Sequence, residues 1–288
     1  MKKINFVFLE TSLLLFSTSP VQEVKKITQN SPKYSLTTAK DLGFNIKNLT
    51  YVKDKYESQV TATGDIYLYN TLELWSAIYS SYNETNDTKY YYVLVNARMY
   101  TNSDKLQNGY YRIVSKDLEI IIESDLYSNS QYNPDNFKLK DYSPKKDEGV
   151  IIEDIINYNV GVSSCSYNSG VSYSIMNYRD STSLENASPV TGESKSHPRS
   201  VSIKYKFENT DNKNVNNNPP YRGDFIRSYV AIYEIKNYSK ISSSSTISFS
   251  IDAKATSQKY SVTIFGCNGH ESKTSNSYLS FENLSLIL

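Results

Sequence analysis

Between Ile155 and Tyr178 apolar and polar residues alternate strictly along two limbs joined by a polar stretch. On the outward limb Ile156, Tyr158, Val160 and Val162 alternate with Asn157, Asn159, Gly161 and Ser163; on the return Val171, Tyr173 and Ile175 alternate with Ser172, Ser174 and Met176. The connecting Ser164-Cys165-Ser166-Tyr167-Asn168-Ser169 has the small, polar composition that turns a chain at low steric cost. Successive side chains of a strand point to opposite faces, so a period of two predicts a β-hairpin with one dry and one wet face. Setting Val162 opposite Val171 brings Val160 to Tyr173 and Tyr158 to Ile175, so each apolar position on that face meets another.

Two environments satisfy this pattern. One is a soluble antiparallel sheet lying on a core. The other is a hairpin of a transmembrane barrel, apolar toward lipid and polar toward a lumen. Charge bears on the choice. No charged residue occurs between Asp154 and Arg179, although 21% of the chain is charged, and a solvated sheet face ordinarily carries Lys, Glu or Arg.

Similar signals run through the rest of the 288 residues. Alternation or apolar density predicts strands over Thr61–Tyr69, Leu74–Tyr79, Lys89–Tyr100, Tyr110–Val114 and Leu118–Ser124, with a turn cluster at Tyr82–Asp87. Further strands are expected over Val201–Phe207, Ser228–Ile235, Thr246–Ile251 and Lys259–Phe265. Polar connections are expected over Asp125–Asp147, Asp180–Arg199 and Asn209–Pro220. No helical periodicity of any length and no repeat is present. The 27 tyrosines suit pleated, half-exposed surfaces, and the class is all-β, an antiparallel sandwich.

Composition excludes several functions. A net charge of +1 sets up no field for nucleic acid or an anionic surface. His197 and His270, the only histidines, have no ligand partner at metal spacing, so no metal or other cofactor is expected. Neither a nucleophile elbow nor a phosphate-binding glycine loop occurs, so no enzyme is expected. Arg222-Gly223-Asp224 reads as a turn beside the Asn/Pro loop. At the N-terminus Lys2 and Lys3 precede an apolar run from Phe6 to Phe16 and the small residues Ser17 to Ser19, the order of a secretion signal, placed over residues 1–26. Glu10 and Pro20 depart from that pattern, and a buried N-terminal element is the alternative. Export would expose Cys165 and Cys267 to oxidising conditions, where they either pair or remain free thiols.

Tyr79–Tyr100 (YSSYNETNDTKYYYVLVNARMY), Asp141–Val162 (DYSPKKDEGVIIEDIINYNVGV), Tyr178-Arg179-Asp180 followed by Val201–Phe207, and Gly223–Ile235 (GDFIRSYVAIYEI) occur in an order that resembles the leukocidin/hemolysin family of β-barrel pore-forming toxins, the staphylococcal α-hemolysin type. The resemblance covers about two thirds of the chain by order and pattern. It implies a sandwich cap over residues 27–154 and 179–288, a pre-stem hairpin over 155–178 and a reduced rim loop over 207–223. It further implies a secreted, water-soluble protein that binds a target-cell membrane and assembles with copies of itself into a lytic ring.

In that reading Ile156, Tyr158, Val160, Val162, Val171, Tyr173 and Ile175 face lipid, and Asn157, Asn159, Gly161, Ser163, Ser172 and Ser174 line the lumen. Moving seven such side chains into lipid yields on the order of 10–20 kcal/mol. A lone hairpin would leave two unpaired edges in hydrocarbon, which cancels that gain, so only a closed ring inserts. Two departures stand out. The alternating limbs have about eight residues each, shorter than the family's stem. The rim interval also lacks tryptophan, so no lipid headgroup site is carried over. The alternative function is a secreted sandwich that binds a glycan or protein without insertion, for which tyrosine-rich faces are suited.

Overall fold

The computed structural model of the chain describes residues 44–62, 69–102, 111–128, 133–145, 151–162, 165–176, 182–190, 199–207, 224–263 and 266–286. These residues form β1 (Phe44–Lys47), β2 (Thr50–Ala62), β3 (Tyr69–Asn83), β4 (Thr88–Asn102), β5 (Tyr111–Tyr127), β6 (Phe137–Ser143) and β7 (Ile151–Val162). There follow β8 (Cys165–Met176), β9 (Thr182–Val190), β10 (Ser200–Phe207), β11 (Asp224–Lys236), β12 (Thr246–Thr263) and β13 (Gly266–Ser285). Two short 3-10 turns, Pro134–Asn136 and Tyr238–Lys240, are the remaining regular structure among the described residues. The all-β class expected from the alternation is the observed one.

Three antiparallel sheets result. A central sheet has the order β2-β3-β4-β11-β6, an outer sheet the order β13-β12-β5-β10-β9, and a small sheet the order β1-β8-β7. Central and outer sheets pack face to face, because alternate positions of both are apolar. Leu74, Val93, Val95, Tyr229 and Tyr233 from the central sheet meet Ile120, Ile122, Ile203, Phe249 and Phe281 from the outer one. Burial of side chains of this size contributes roughly 1.5–3 kcal/mol each. Tyr91 and Tyr233 each pack a ring against Phe249, at 5.6 and 5.7 Å. The Tyr233 hydroxyl crosses the core to donate to the carbonyl of Ile122 at 3.2 Å, which satisfies a polar atom that burial would otherwise penalise.

Several strands differ from the expected ones. Tyr110–Val114 and Leu118–Ser124 are one strand, β5, since Lys116 forms a bulge where the pairing passes from Thr256–Asp117 to Ser257–Ser115. The expected break between Ile251 and Lys259 is likewise absent, because β12 is paired on both edges along that length. Two of the expected connections contain strands. β6 alternates Phe137 and Leu139 inward with lysines outward, and Pro134 and Pro144 flank it instead of interrupting it. β9 contains Pro189 but pairs only with β10, an edge position that tolerates a missing N–H. β1, most of β2, and β13 had no sequence expectation at all.

Candidate functional site

The predicted hairpin exists, as β7 and β8, but its register is not the one expected. Val162 lies opposite Cys165 and Ile156 opposite Val171, so only two residues separate the limbs. The expected loop residues Cys165 to Ser169 are strand, and the pairing extends back to Ile151 opposite Met176. Each limb therefore has 12 residues instead of about eight. The reason is physical. A slip of an even number of residues keeps every position on its own face, so hydrophobic alternation does not distinguish the two registers. A two-residue connection is also the commonest way to join antiparallel strands.

The expected lipid-facing residues thus meet new partners. Tyr158 pairs with Ser169, Val160 with Tyr167, Tyr173 with Asp154 and Ile175 with Ile152. Of the lumen set, Asn157 pairs with Gly170, Asn159 with Asn168, Gly161 with Ser166, Ser172 with Ile155 and Ser174 with Glu153. Ser163 lies outside the described residues, as do the signal segment over 1–26, the turn Tyr178-Arg179-Asp180, His197, Arg222, Gly223 and most of the rim loop over 207–223. Cys165 opens β8 in the small sheet while Cys267 pairs with Val262 in the outer sheet. His270 lies on β13, and among the described residues no cluster of ligating side chains could hold a metal.

The hairpin is not an edge of the sandwich. β8 lies over β11 and β7 over β3, on the face of the central sheet that points away from the main core. That face is apolar in its own right. Trp75 and Ala77 from β3, Tyr90, Tyr92 and Leu94 from β4, and Val230 and Ile232 from β11 form a second buried cluster. Phe44 of β1 is buried in the same cluster, with its ring 6.0 Å from that of Trp75, and Ile46 packs beside it. Polar residues border the cluster on the same sheet face. Arg98 donates to Glu73 at 3.0 Å, and Asn96 donates to the Ser228 hydroxyl at 3.3 Å. The buried carboxylate of Glu234 lies 3.3 Å from the ammonium of Lys138 and 3.5 Å from that of Lys140.

Among the described residues, strand pairing ties the hairpin to the rest of the protein at one place. β8 pairs with β1 over only Phe44–Tyr173, Asn45–Ser172, Ile46–Val171 and Lys47–Gly170. Among the described residues β7 has no strand neighbour other than β8. The sequence carries a signal for this third layer. β4 reads Tyr90-Tyr91-Tyr92-Val93-Leu94-Val95 and β11 reads Tyr229-Val230-Ala231-Ile232-Tyr233, continuous apolar runs that only a sheet covered on both faces requires.

No protein-family model and no curated protein matches the chain. Among solved structures it is similar to a pore forming protein at 14% identity, covering 83% of this chain and 94% of that one with a TM-score of 0.39. It is similar to the Clostridium perfringens NetB toxin in the membrane inserted form at 14% identity, covering 80% and 94% of the two chains with a TM-score of 0.34. To Clostridium perfringens delta-toxin the identity is 12%, the coverage 82% and 95%, and the TM-score 0.37.

Proposed function

We propose that the chain is a secreted pore-forming protein whose copies assemble into a ring on a target membrane, each contributing the β7–β8 hairpin to a shared transmembrane barrel. The observation that carries this reading is the separateness of the hairpin. Among the described residues its strands pair with the remainder of the protein at β1 alone, it lies on a sheet that is complete without it, and the main core is sealed on the opposite face. The hairpin is therefore able to leave without opening the sandwich.

Length supports the same reading. Limbs of 12 residues reach about 40 Å at roughly 3.3 Å per residue. Tilted by about 40°, they span close to the 30 Å of a hydrocarbon core, with the charged Glu153 and Asp154 near the end of β7 where the hairpin would meet the membrane surface. Energetics explain why the monomer stays closed. Uncovering Trp75, Tyr92, Leu94, Val230 and Ile232 to water costs on the order of 10 kcal/mol at 1.5–3 kcal/mol per side chain. Release becomes favourable when lipid takes the apolar positions of the hairpin and neighbouring copies pair its edges. In this proposal Ile156, Tyr158, Val160, Val162, Val171, Tyr173 and Ile175 face lipid, and Asn157, Asn159, Gly161, Ser163, Ser172 and Ser174 face the lumen.

Val160→Asp tests it, because position 160 is far along the limb from β1. The purified variant should elute and melt as the wild-type monomer does, while dye release from liposomes falls at least tenfold. Unchanged release rejects the insertion of this hairpin.

A further inference from the structure

At one end of the outer sheet three neighbouring strands present their solvent faces together. Glu123, Asp125 and Tyr127 alternate with inward-facing Ile122, Ser124 and Leu126 on β5, and Ser250 and Ser248 stand beside Glu123 and Asp125 on β12. Across β12, Ser250 pairs with Ser280 of β13, whose solvent face continues to Tyr278 on one side and Glu282 on the other. Together they line a cleft of about 440 Å³.

A bulge shapes its wall. The pairing passes from Ile247–Leu284 to Phe249–Phe281, so Glu282 and Asn283 together oppose the single residue Ser248. Asn283 adopts a left-handed φ of 52°, and its N–H donates to the Ser248 hydroxyl at 3.2 Å. Bulges of this kind re-aim side chains relative to the regular pleat. The hydroxyl of Ser248, used there as an acceptor, keeps its own proton for a ligand. The Ser280 hydroxyl donates to Glu282 at 2.9 Å and keeps its lone pairs. Two large rings lie at the margin: Tyr127 is 61% and Tyr278 56% exposed.

We infer that this cleft binds a neutral sugar, one or two rings in size. Its volume lies within the range of small-molecule sites. Exposed tyrosine faces stack on the C–H faces of a pyranose, and carboxylates spaced along a sheet accept hydrogen bonds from adjacent hydroxyls. Phosphate and sialate ligands are disfavoured by the three carboxylates Glu123, Asp125 and Glu282, against which stand Arg199, 3.7 Å from Asp125, and Lys55, whose ammonium donates to the Ser280 carbonyl. A simple ammonium would leave the serine hydroxyls and Asn283 unused. The site supplies a cell-surface ligand to the pore reading without depending on it, since the cleft lies on the outer sheet and is distant in topology from β7 and β8.

Saturation-transfer NMR on the soluble chain tests the inference, with methyl β-galactoside, methyl β-glucoside, N-acetylglucosamine and N-acetylgalactosamine as probes. Choline chloride and N-acetylneuraminic acid serve as charged comparators. At least one neutral probe should receive saturation, strongest at its ring C–H protons. Tyr127→Ala and Tyr278→Ala, both at exposed positions, should each reduce it at least fivefold, as should Glu282→Gln. Three results overturn the site: no transfer to any neutral probe, transfer unchanged in the tyrosine variants, or transfer to the charged comparators alone. No lipid is present, so failure here leaves hairpin insertion standing, and failure of dye release leaves the sugar site standing.

Discussion

Asp87 does more than end the β3–β4 turn. Its carboxylate accepts from the Ser239 hydroxyl at 2.7 Å, the Ser239 amide at 2.9 Å and the Tyr82 hydroxyl at 2.9 Å, while its own carbonyl accepts from the Tyr238 amide at 3.0 Å. The turn is thereby stitched to the 3-10 turn after β11. Burial works to raise the carboxyl pKa, but the bonds from Ser239 and Tyr82 outweigh it and hold the group below its ordinary 3.8. A depressed folded pKa means that the stabilisation is complete above 3.8 and is lost as pH falls through the lower folded value. Asp87→Asn should therefore melt lower at neutral pH, by about 2–4 °C for a loss on the order of 1 kcal/mol. The difference from wild type should close below pH 3.8, and thermal melts from pH 7 to pH 2.5 measure it. A difference that persists unchanged in acid contradicts the assignment.

At the scale of the element, the small sheet is the part whose behaviour matters most. Ile46 and Val171 face each other directly across β1 and β8. Opposed residues of an antiparallel pair have Cα atoms about 4.5–5.5 Å apart, within the 4.4–6.8 Å that a disulfide bridges. Replacing both by cysteine, in a chain where Cys165 and Cys267 are serine, should hold the hairpin on the central sheet. Oxidised protein should release no dye from liposomes, and reductant should restore release at least tenfold. Equal activity in both states would mean that β8 does not part from β1. The same element shows how far patterning reaches. Alternation of Ile156, Tyr158 and Val160 with Asn157 and Asn159 announced the hairpin. It left open whether Val162 meets Val171 or Cys165, since both registers keep every face. Only the paired backbone resolves that, and with it the length of each limb.

For the whole molecule, the proposed function divides the protein into a permanent body and a layer that detaches. Amide exchange on liposomes should report this division: β1, β7 and β8 should change protection on membrane assembly, whereas Val93, Val95, Tyr229 and Tyr233 at the sealed face should keep theirs. Loss of protection across β4 and β11 amides would instead mean that the sandwich opens. Much of that body was legible in advance, because residues such as Ile203 and Tyr205 alternate with Ser202 and Lys204, and a period of two has one meaning for local structure. Strands that alternate weakly or carry proline were not legible: β6 between Pro134 and Pro144, β9 with Pro189, and β13 with polar residues along most of its length. Their strand state comes from a neighbour that supplies hydrogen bonds, which no single segment records. The cleft is hidden for the same reason, since Tyr127, Ser248 and Glu282 are far apart in the chain and meet only because β12 lies between β5 and β13. Sequence alone determined the all-β class and the presence of the hairpin, since side-chain alternation is a local property of each strand. Tertiary structure alone decided the register, the third layer and the cleft, since these depend on which strands become neighbours.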